Sequence, residues 1–214
     1  MLPVREVAEI AARSLLISGL ATLLAVSWSV PAAAVLASSR SRAARAVLAF
    51  LNAMIGLPTV LVGLLFYLLL SGAGPLGFLQ LLYTPAAVSL GQAFLVTPLL
   101  VSLVAEHLGR VRESVTELAL SLGATRLQAA ATVMREAAPQ ILSSALVAFN
   151  RAVGELGVAL LVGGNIRGLT RVMTTAIALE VEKGEFEFAL ALGGVLLLVN
   201  VAVTLAVRAL GRVE

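Results

Sequence analysis

The chain has 214 residues, of which 60% are hydrophobic and only 13% are charged. A soluble domain usually has about a quarter charged residues, so this composition argues against a water-soluble globule. Cysteine is absent and histidine occurs once, which excludes disulfides, a cysteine nucleophile and a multi-histidine metal site within the chain. The composition indicates a small polytopic membrane protein with little catalytic equipment of its own.

Five apolar stretches are long enough to cross a membrane as helices, since a bilayer core of ~30 Å takes about 20 residues. They are 14–38, 47–70, 85–105, 140–164 and 186–210. These stretches are too long for barrel strands and lack their alternating pattern. The sequence therefore predicts one domain, 1–214, that is an all-α polytopic membrane bundle of about five transmembrane helices, with kinks at Pro31, Pro58 and Pro98.

The basic residues of the loops predict how the bundle is oriented. One side holds nine of them: Arg40, Arg42, Arg45, Arg110, Arg112, Arg126, Arg135, Arg208 and Arg212. The other side holds five: Arg5, Arg13, Arg167, Arg171 and Lys183. Because loops rich in positive charge stay in the cytoplasm, we expect the N-terminus outside and the C-terminus in the cytoplasm. The net charge of +3 is then a topology signal, and no nucleic-acid partner is expected.

The first span shares some features with a cleavable signal peptide. Arg5 precedes an apolar run that ends near three small residues, 32–34. Glu6 and Glu9 disrupt the basic segment with which such peptides begin, and the apolar run is longer than theirs. We therefore expect 14–38 to be kept as a membrane helix.

The segment 106–139, between the third and fourth spans, is too long for a simple turn and has a helical period of its own. Four apolar residues recur on one face of this predicted helix: Val111, Val115, Leu118 and Leu122. Gly123 is expected to end the helix, and a second amphipathic stretch begins at Leu127. The segment is either an interfacial helix on the membrane surface or a helical pair that docks into a soluble partner.

Residues 117–124, Glu-Leu-Ala-Leu-Ser-Leu-Gly-Ala, resemble the EAA loop of ABC-transporter permeases. The glutamate, the second alanine and the glycine match that motif, whereas Leu118 replaces its first alanine and the downstream proline is displaced to Pro139. The resemblance implies a cytoplasmic coupling helix that seats in a groove of a separate ATPase subunit. Its residues here are Glu117, Ala119, Gly123 and Ala124.

Other segments are similar to the oxyanion permeases of the same class. Residues 56–64 and 71–77 look like their second and third spans, and 150–157 is similar to a run in molybdate and sulfate permeases. The segments 162–166 and 170–180 most resemble the tungstate branch. The resemblance implies the fold of a type I importer permease that translocates tungstate, with molybdate or sulfate as the alternative.

The resemblance also implies the partners. Five spans are too few to enclose a path, which favours a homodimer with the path on its two-fold axis. No phosphate-binding Gly-x-x-x-x-Gly-Lys-Ser/Thr segment occurs, so the chain is expected to be non-catalytic and to hold no cofactor, with ATP used by two ATP-binding subunits on the cytoplasmic side. An extracytoplasmic oxyanion-binding protein would deliver the anion, and the expected location is the inner membrane of a prokaryotic cell.

Two charged residues interrupt the fourth predicted span. Arg151 lies 11 residues after Gln140, which is about 16 Å along a helix and near the bilayer midplane. Glu155 follows one turn later on the same face, where the two side chains can pair. Gly154 and Gly157 flank this pair and are expected to let another backbone approach closely.

A charge at this depth costs about 2.5–3.5 kcal/mol, so the pair has either a structural or a functional reason to be there. As a structural ion pair, it locks helices together. As a functional pair, Arg151 faces the translocation path and attracts the anion, while Glu155 holds the guanidinium and limits the affinity. Asn150 belongs to the same candidate set. Almost no other polar side chain is expected to be buried in the spans.

Four residues of the outer loop are weaker candidates: Asn165, Arg167, Thr170 and Arg171. Their donors suit an oxyanion or the acidic groups of a binding protein, although a solvated turn explains them as well. Two other function classes are also considered. An ion-coupled carrier would use Arg151 and Glu155 as its site, but no inverted repeat is visible. An intramembrane enzyme would lack aspartate, zinc ligands and a recognisable serine–histidine pair.

Overall fold

The computed structural model describes residues 4–39 and 41–210, and these contain helices and turns but no strand. Three helices are long and apolar enough to cross a membrane unbroken: α1 (Val4–Ser38), α4 (Pro85–Ser121) and α9 (Phe186–Leu210). Two bent pairs are long and apolar enough to cross when their helices are taken together: α2 (Arg42–Met54) with α3 (Thr59–Leu70), and α6 (Ala138–Val153) with α7 (Gly157–Gly163). The shorter α5 (Arg126–Glu136) and α8 (Met173–Glu182) complete the bundle. The predicted all-α membrane fold is confirmed.

The helices α1 and α4 form the centre of the bundle because small residues on α1 allow close contact. Ala21 and Ala25 are fully buried and belong to one apolar cluster with Val96 and Leu100 of α4. Small side chains at helical spacing bring two helices together in a membrane, where lipid provides no hydrophobic force between them. The other spans pack around this pair.

The second span is not the single helix predicted over 47–70. The chain bends by 101° between α2 and α3, at the short segment from Ile55 to Pro58. Pro58 has no backbone N–H to continue a helix and disfavours helical geometry at Leu57, and its own backbone is extended. The other two prolines expected to kink helices, Pro31 and Pro98, lie within helices that continue past them.

The third span continues far beyond the predicted end at residue 105. The helix α4 has 37 residues and is therefore about 55 Å long, which is nearly twice the thickness of a bilayer core. No glycine or proline between 110 and 121 interrupts it, and Val111 and Val115 pack on the central apolar cluster. Gly123, at a φ of +86°, follows its end as predicted.

The first span, α1, ends at residue 38 as predicted but begins ten residues before the predicted start at residue 14. The helix α9 has the predicted bounds, 186–210. The fourth span begins two residues early and is bent by 61° between α6 and α7. Its non-helical segment, Gly154–Leu156, is called the α6–α7 break below. Of the residues used to predict orientation, Arg40 and Arg212 lie outside the described residues.

Candidate functional site

The two charges of the fourth span meet at the α6–α7 break. The Arg151 Nη1 atom, near the end of α6, donates a hydrogen bond of 2.8 Å to Glu155 Oε2. The side chain of Glu155 is only 2% exposed, whereas that of Arg151 is 40% exposed. The predicted ion pair is therefore present, although the two residues do not share one continuous helix.

Side chains from three elements form hydrogen bonds with backbone groups that have no helical partner at the break. The carbonyl of Ala152 accepts hydrogen bonds from Gln92 Nε2 and from the backbone N–H of Glu155, both at 3.1 Å. The Glu155 carbonyl accepts from Thr174 Oγ1 at 2.7 Å, and Glu155 Oε1 accepts from the backbone N–H of Val158 at 3.3 Å. An unpaired backbone group in a bilayer costs several kcal/mol, so these bonds allow the span to be broken at this depth.

Gln92 is a site residue that the sequence does not reveal as such. Its side chain is buried two turns into α4, and its Oε1 accepts a hydrogen bond of 3.2 Å from Ser18 Oγ. Ser14 and Ser89 are buried as well, so the expectation that almost no other polar side chain is buried is wrong. The sequence feature that could have indicated Gln92 is its position as an amide inside an apolar span. Polar groups in membrane helices are costly and are kept for function or for packing.

Glycines bring α3 against the start of α7. A Cβ atom on Gly157 would lie 2.8 Å from both Thr59 Oγ1 and the Val60 nitrogen, and one on Gly63 would lie 3.0 Å from the Gly157 carbonyl. The close approach expected at Gly157 is confirmed. At Gly154, the nearest atom to such a Cβ is the carbonyl oxygen of Asn150 at 3.7 Å, so within the described chain the second expected approach is absent.

The pair lies within the thickness of a bilayer core, nearer to the end at which α4 begins. Arg151 comes 13 residues after the start of α6, or about 20 Å along the helix. Its neighbour Gln92 comes seven residues after the start of α4, which runs from the opposite face, or about 10 Å. These depths together match a bilayer core of ~30 Å. An exposed guanidinium there would be costly against lipid, so this surface faces water or protein in the assembled molecule.

Asn150 lies beside the pair without joining its hydrogen bonds to the break. It is half-buried on α6, and its Oδ1 atom is buried without a hydrogen-bond partner in the described part of the chain. Its backbone carbonyl accepts from the N–H of Gly154 at 3.4 Å. The structure thus places Asn150 next to Arg151 but gives its side chain no role in holding the break.

The predicted coupling residues lie where α4 turns into α5, a region called the α4–α5 tip and comprising residues 117–127. Glu117 and Ala119 belong to the last turns of α4, and Gly123 and Ala124 form the turn that follows. The helix thus ends before Gly123, as predicted, and the last two of the four predicted coupling residues lie in the turn. The N–H of Ala124 donates to the Ala119 carbonyl at 3.0 Å, and Thr125 then caps α5 through a reciprocal bond with Gln128.

Large apolar side chains are exposed at this tip. Leu122 and Leu127 are 80% and 81% exposed, and Leu118 and Leu120 are exposed as well. The predicted apolar stripe thus divides, since Val111 and Val115 pack on the core while its last two members do not. The tip lies at the end of a helix of about 55 Å, which is longer than a ~30 Å core. A cluster of exposed apolar side chains of this kind marks a contact with protein or with the membrane surface.

The weaker candidates of the outer loop have different surroundings. Thr170 is fully buried, and its Oγ1 donates to the Gly163 carbonyl at 2.5 Å, so a solvated turn is the wrong description for this residue. Arg167 is exposed and pairs with Glu6 at 2.9 Å. Arg171 is half-buried beside them. The structure therefore assigns Thr170 to the packing of the loop.

Residues 29–212 match the protein family described as the inner membrane component of binding-protein-dependent transport systems. The match spans most of the chain, and the chain belongs to this family, which comprises the permease subunits of ABC importers. Membership favours the predicted permease over an ion-coupled carrier and over an intramembrane enzyme.

Individual relatives fall within the predicted branches of that family. The chain is 36% identical to the tungstate uptake system permease protein TupB of Peptoclostridium acidaminophilum, over 92% of this chain and 86% of the relative. It is 41% identical to TupB of Campylobacter jejuni, over 66% of this chain and 59% of the relative. It is also 31% identical to the molybdenum transport system permease protein ModB of Azotobacter vinelandii, over 89% and 88%.

Proposed function

We propose that this chain is one of two identical membrane-spanning subunits of an ABC importer for a tetrahedral oxyanion, and that the anion is tungstate. The names and identities of the relatives support tungstate, and molybdate or sulfate is the alternative cargo. In this proposal the chain itself holds no cofactor, and ATP is used by separate subunits.

The exposure of Arg151 at the depth of the bilayer core carries this proposal. Its guanidinium is open on the surface of the subunit, while its counter-ion Glu155 is buried behind it. A dianion passing this surface gains from a positive charge that the apolar surroundings screen weakly. Glu155 compensates that charge in part, so the anion is attracted without being retained. Arg151 would therefore line the translocation path, with Glu155 buried behind it and the half-buried Asn150 beside it.

A second copy of the chain would complete this path. A surface that presents Arg151 cannot face lipid without a large cost, and a two-fold axis beside it would enclose the surface between two identical subunits. Each copy would then contribute one guanidinium to a shared channel. The homodimer is supported by this exposure and by the small number of spans.

The α4–α5 tip would bind the ATP-hydrolysing subunit. The tip combines exposed leucines with Glu117, and it carries the residues that resemble the EAA loop. The loop charges support a cytoplasmic position for the tip, with the N-terminus outside. An oxyanion-binding protein would then deliver its cargo at the opposite face, which carries Arg13, Arg167 and Arg171.

Reconstitution into vesicles with the ATPase and the binding protein tests this function. We expect ATP-dependent uptake of tungstate above that of molybdate and sulfate. Uptake should fall at least tenfold in Arg151→Ala and less in Arg151→Lys, which keeps the charge, since the loss of a desolvated charge contact costs more than about 1.4 kcal/mol. An Arg151→Ala protein that assembles normally and transports at the wild-type rate would contradict the assigned path.

A further inference from the structure

The buried amide of Gln92 lies between two regions of the proposed function. These are the α4–α5 tip, which would bind the ATPase, and the Arg151–Glu155 pair, which would contact the anion. We propose that Gln92 is a positioning residue: it transmits a displacement of the α4–α5 tip to the Arg151–Glu155 pair through the carbonyl of Ala152. This inference rests on the proposed function, because it assumes that an ATPase moves the tip.

The first observation is that Gln92 and the tip belong to one helix. Glu117 follows Gln92 by 25 residues, a distance of about 37 Å along α4, and the helix is unbroken between them. The helix α6 also reaches Arg151 without a break, but α5 and the junction at Ala137 separate it from the tip. A displacement applied to the end of α4 therefore reaches Gln92, inside the membrane, without passing through a turn.

The second observation is where the amide of Gln92 is bonded. Its Nε2 donates to the Ala152 carbonyl at 3.1 Å, and the same oxygen accepts the backbone N–H of Glu155 at 3.1 Å. Ala152 directly follows Arg151, so both members of the ion pair are within a few bonds of this carbonyl. Since a hydrogen bond weakens steeply beyond about 3.5 Å, a small shift of α4 either moves the break or loses this contact.

A purely structural role for Gln92 is the competing explanation, and the chain offers controls that separate the two. Ser18→Ala removes the hydrogen bond to Gln92 Oε1 but leaves the contact with Ala152. Ser89 lies about one turn from Gln92 on α4, is buried, and donates to the Ile17 carbonyl at 3.1 Å. Ser89→Ala therefore removes a buried bond between α1 and α4 without touching the break.

The test compares Gln92→Leu, which keeps most of the side-chain volume, with Ser18→Ala and Ser89→Ala. Each protein is assembled with the ATPase and the binding protein in vesicles. The two measurements are the rate of ATP hydrolysis and the number of tungstate ions taken up per ATP hydrolysed. We expect Gln92→Leu to hydrolyse ATP but to take up roughly 3- to 30-fold fewer anions per ATP, whereas both serine variants stay within twofold of wild type.

A fluorescent reporter follows the transmission directly and does not depend on transport. The chain has no cysteine, so Leu156→Cys, at an exposed position in the break, takes a single label. Its emission should change when ATP binds the assembled complex, and Gln92→Leu should abolish this change while Ser89→Ala keeps it. An unchanged signal and uptake ratio in Gln92→Leu would overturn the inference, as would equal losses in all three variants. A wild-type complex that transports no oxyanion would contradict the proposed substrate. If its label still responds to ATP and Gln92→Leu abolishes that response, the inference about Gln92 is supported independently of the substrate.

Discussion

The α6–α7 break and the α4–α5 tip depart from the usual distribution of polar and apolar groups in opposite directions. At the break, a buried carboxylate and a partly exposed guanidinium lie at the depth of the bilayer core. At the tip, leucines that are about four-fifths exposed lie at the end of a helix that extends well beyond such a core. The break has irregular backbone, but its polar groups are hydrogen-bonded. The tip joins two regular helices, but its leucines are not covered by other residues of the described chain.

This difference indicates what each region contacts. A charge in lipid and a leucine in water both cost free energy in the isolated chain, so both are explained by contacts outside it. At the break, the positive charge of Arg151 is partly neutralised by Glu155, which suits an anion that must bind and then dissociate. The tip offers apolar area beside one carboxylate, which suits a groove in a soluble protein.

Removal of Glu155 is expected to have the largest effect. Glu155→Ala leaves Arg151 without its partner, and it leaves the buried N–H of Val158 without an acceptor, which alone costs about 1–3 kcal/mol. We expect a large fall in the unfolding temperature of the detergent-solubilised protein. Glu155→Gln keeps an oxygen for Val158 and should fall less. Equal stability in wild type and Glu155→Ala would show that the pair does not hold the break.

A charge at the tip should act on assembly and leave the fold intact. Leu122→Asp removes a leucine whose burial against a partner contributes about 1.5–3 kcal/mol, so the affinity for the ATPase should fall by roughly 10- to 150-fold. Thermal unfolding of the isolated permease should not change, since the side chain is 80% exposed. Affinity measured by co-purification or interferometry tests this. Leu169→Asp, an exposed leucine in the loop between α7 and α8, is the control, and equal losses in both variants would remove the tip from the interface.

Packing of α3 on α7 gives a smaller and purely steric prediction. Gly157→Ala places a methyl group 2.8 Å from the Val60 nitrogen, and overpacking of this kind costs about 1–3 kcal/mol. Gly19→Ala on α1 meets no atom within 4 Å and serves as the control. Thermal unfolding should show a lower midpoint for Gly157→Ala only. A wild-type midpoint for Gly157→Ala would show that α3 and α7 separate without cost.

The sequence predicts those parts of the fold that depend on a run of apolar residues. The bounds of α9 and the turn at Gly123 follow from hydropathy and from the glycine itself. The bend between α2 and α3 lies at Pro58, where a kink is predicted, but the proline alone does not predict a bend as large as 101°. The helix that ends at Gly123 is predicted as well, but its continuity with the third span is missed, because a helix need not end where apolar character does.

The sequence predicts only those residues of the candidate site that are close to one another in the chain. Arg151 and Glu155 are separated by one helical turn, and their pairing survives the break because Glu155 remains within reach of α6. The partners of the break, Gln92 and Thr174, lie on helices distant in sequence, so no periodicity indicates them. Their positions depend on how α4 and α8 pack, which is a property of the folded bundle.

The reactivity of a cysteine at position 151 tests the central claim most directly. Because the chain has no cysteine, Arg151→Cys carries a single thiol, and a membrane-impermeant cationic methanethiosulfonate would attach a positive charge to it. We predict that Arg151→Cys takes up little anion in the assembled transporter, that the reagent modifies it from the aqueous phase, and that modification restores part of the uptake. A thiol that does not react at any stage of ATP turnover, or full uptake before modification, would contradict a water-accessible anion path at Arg151.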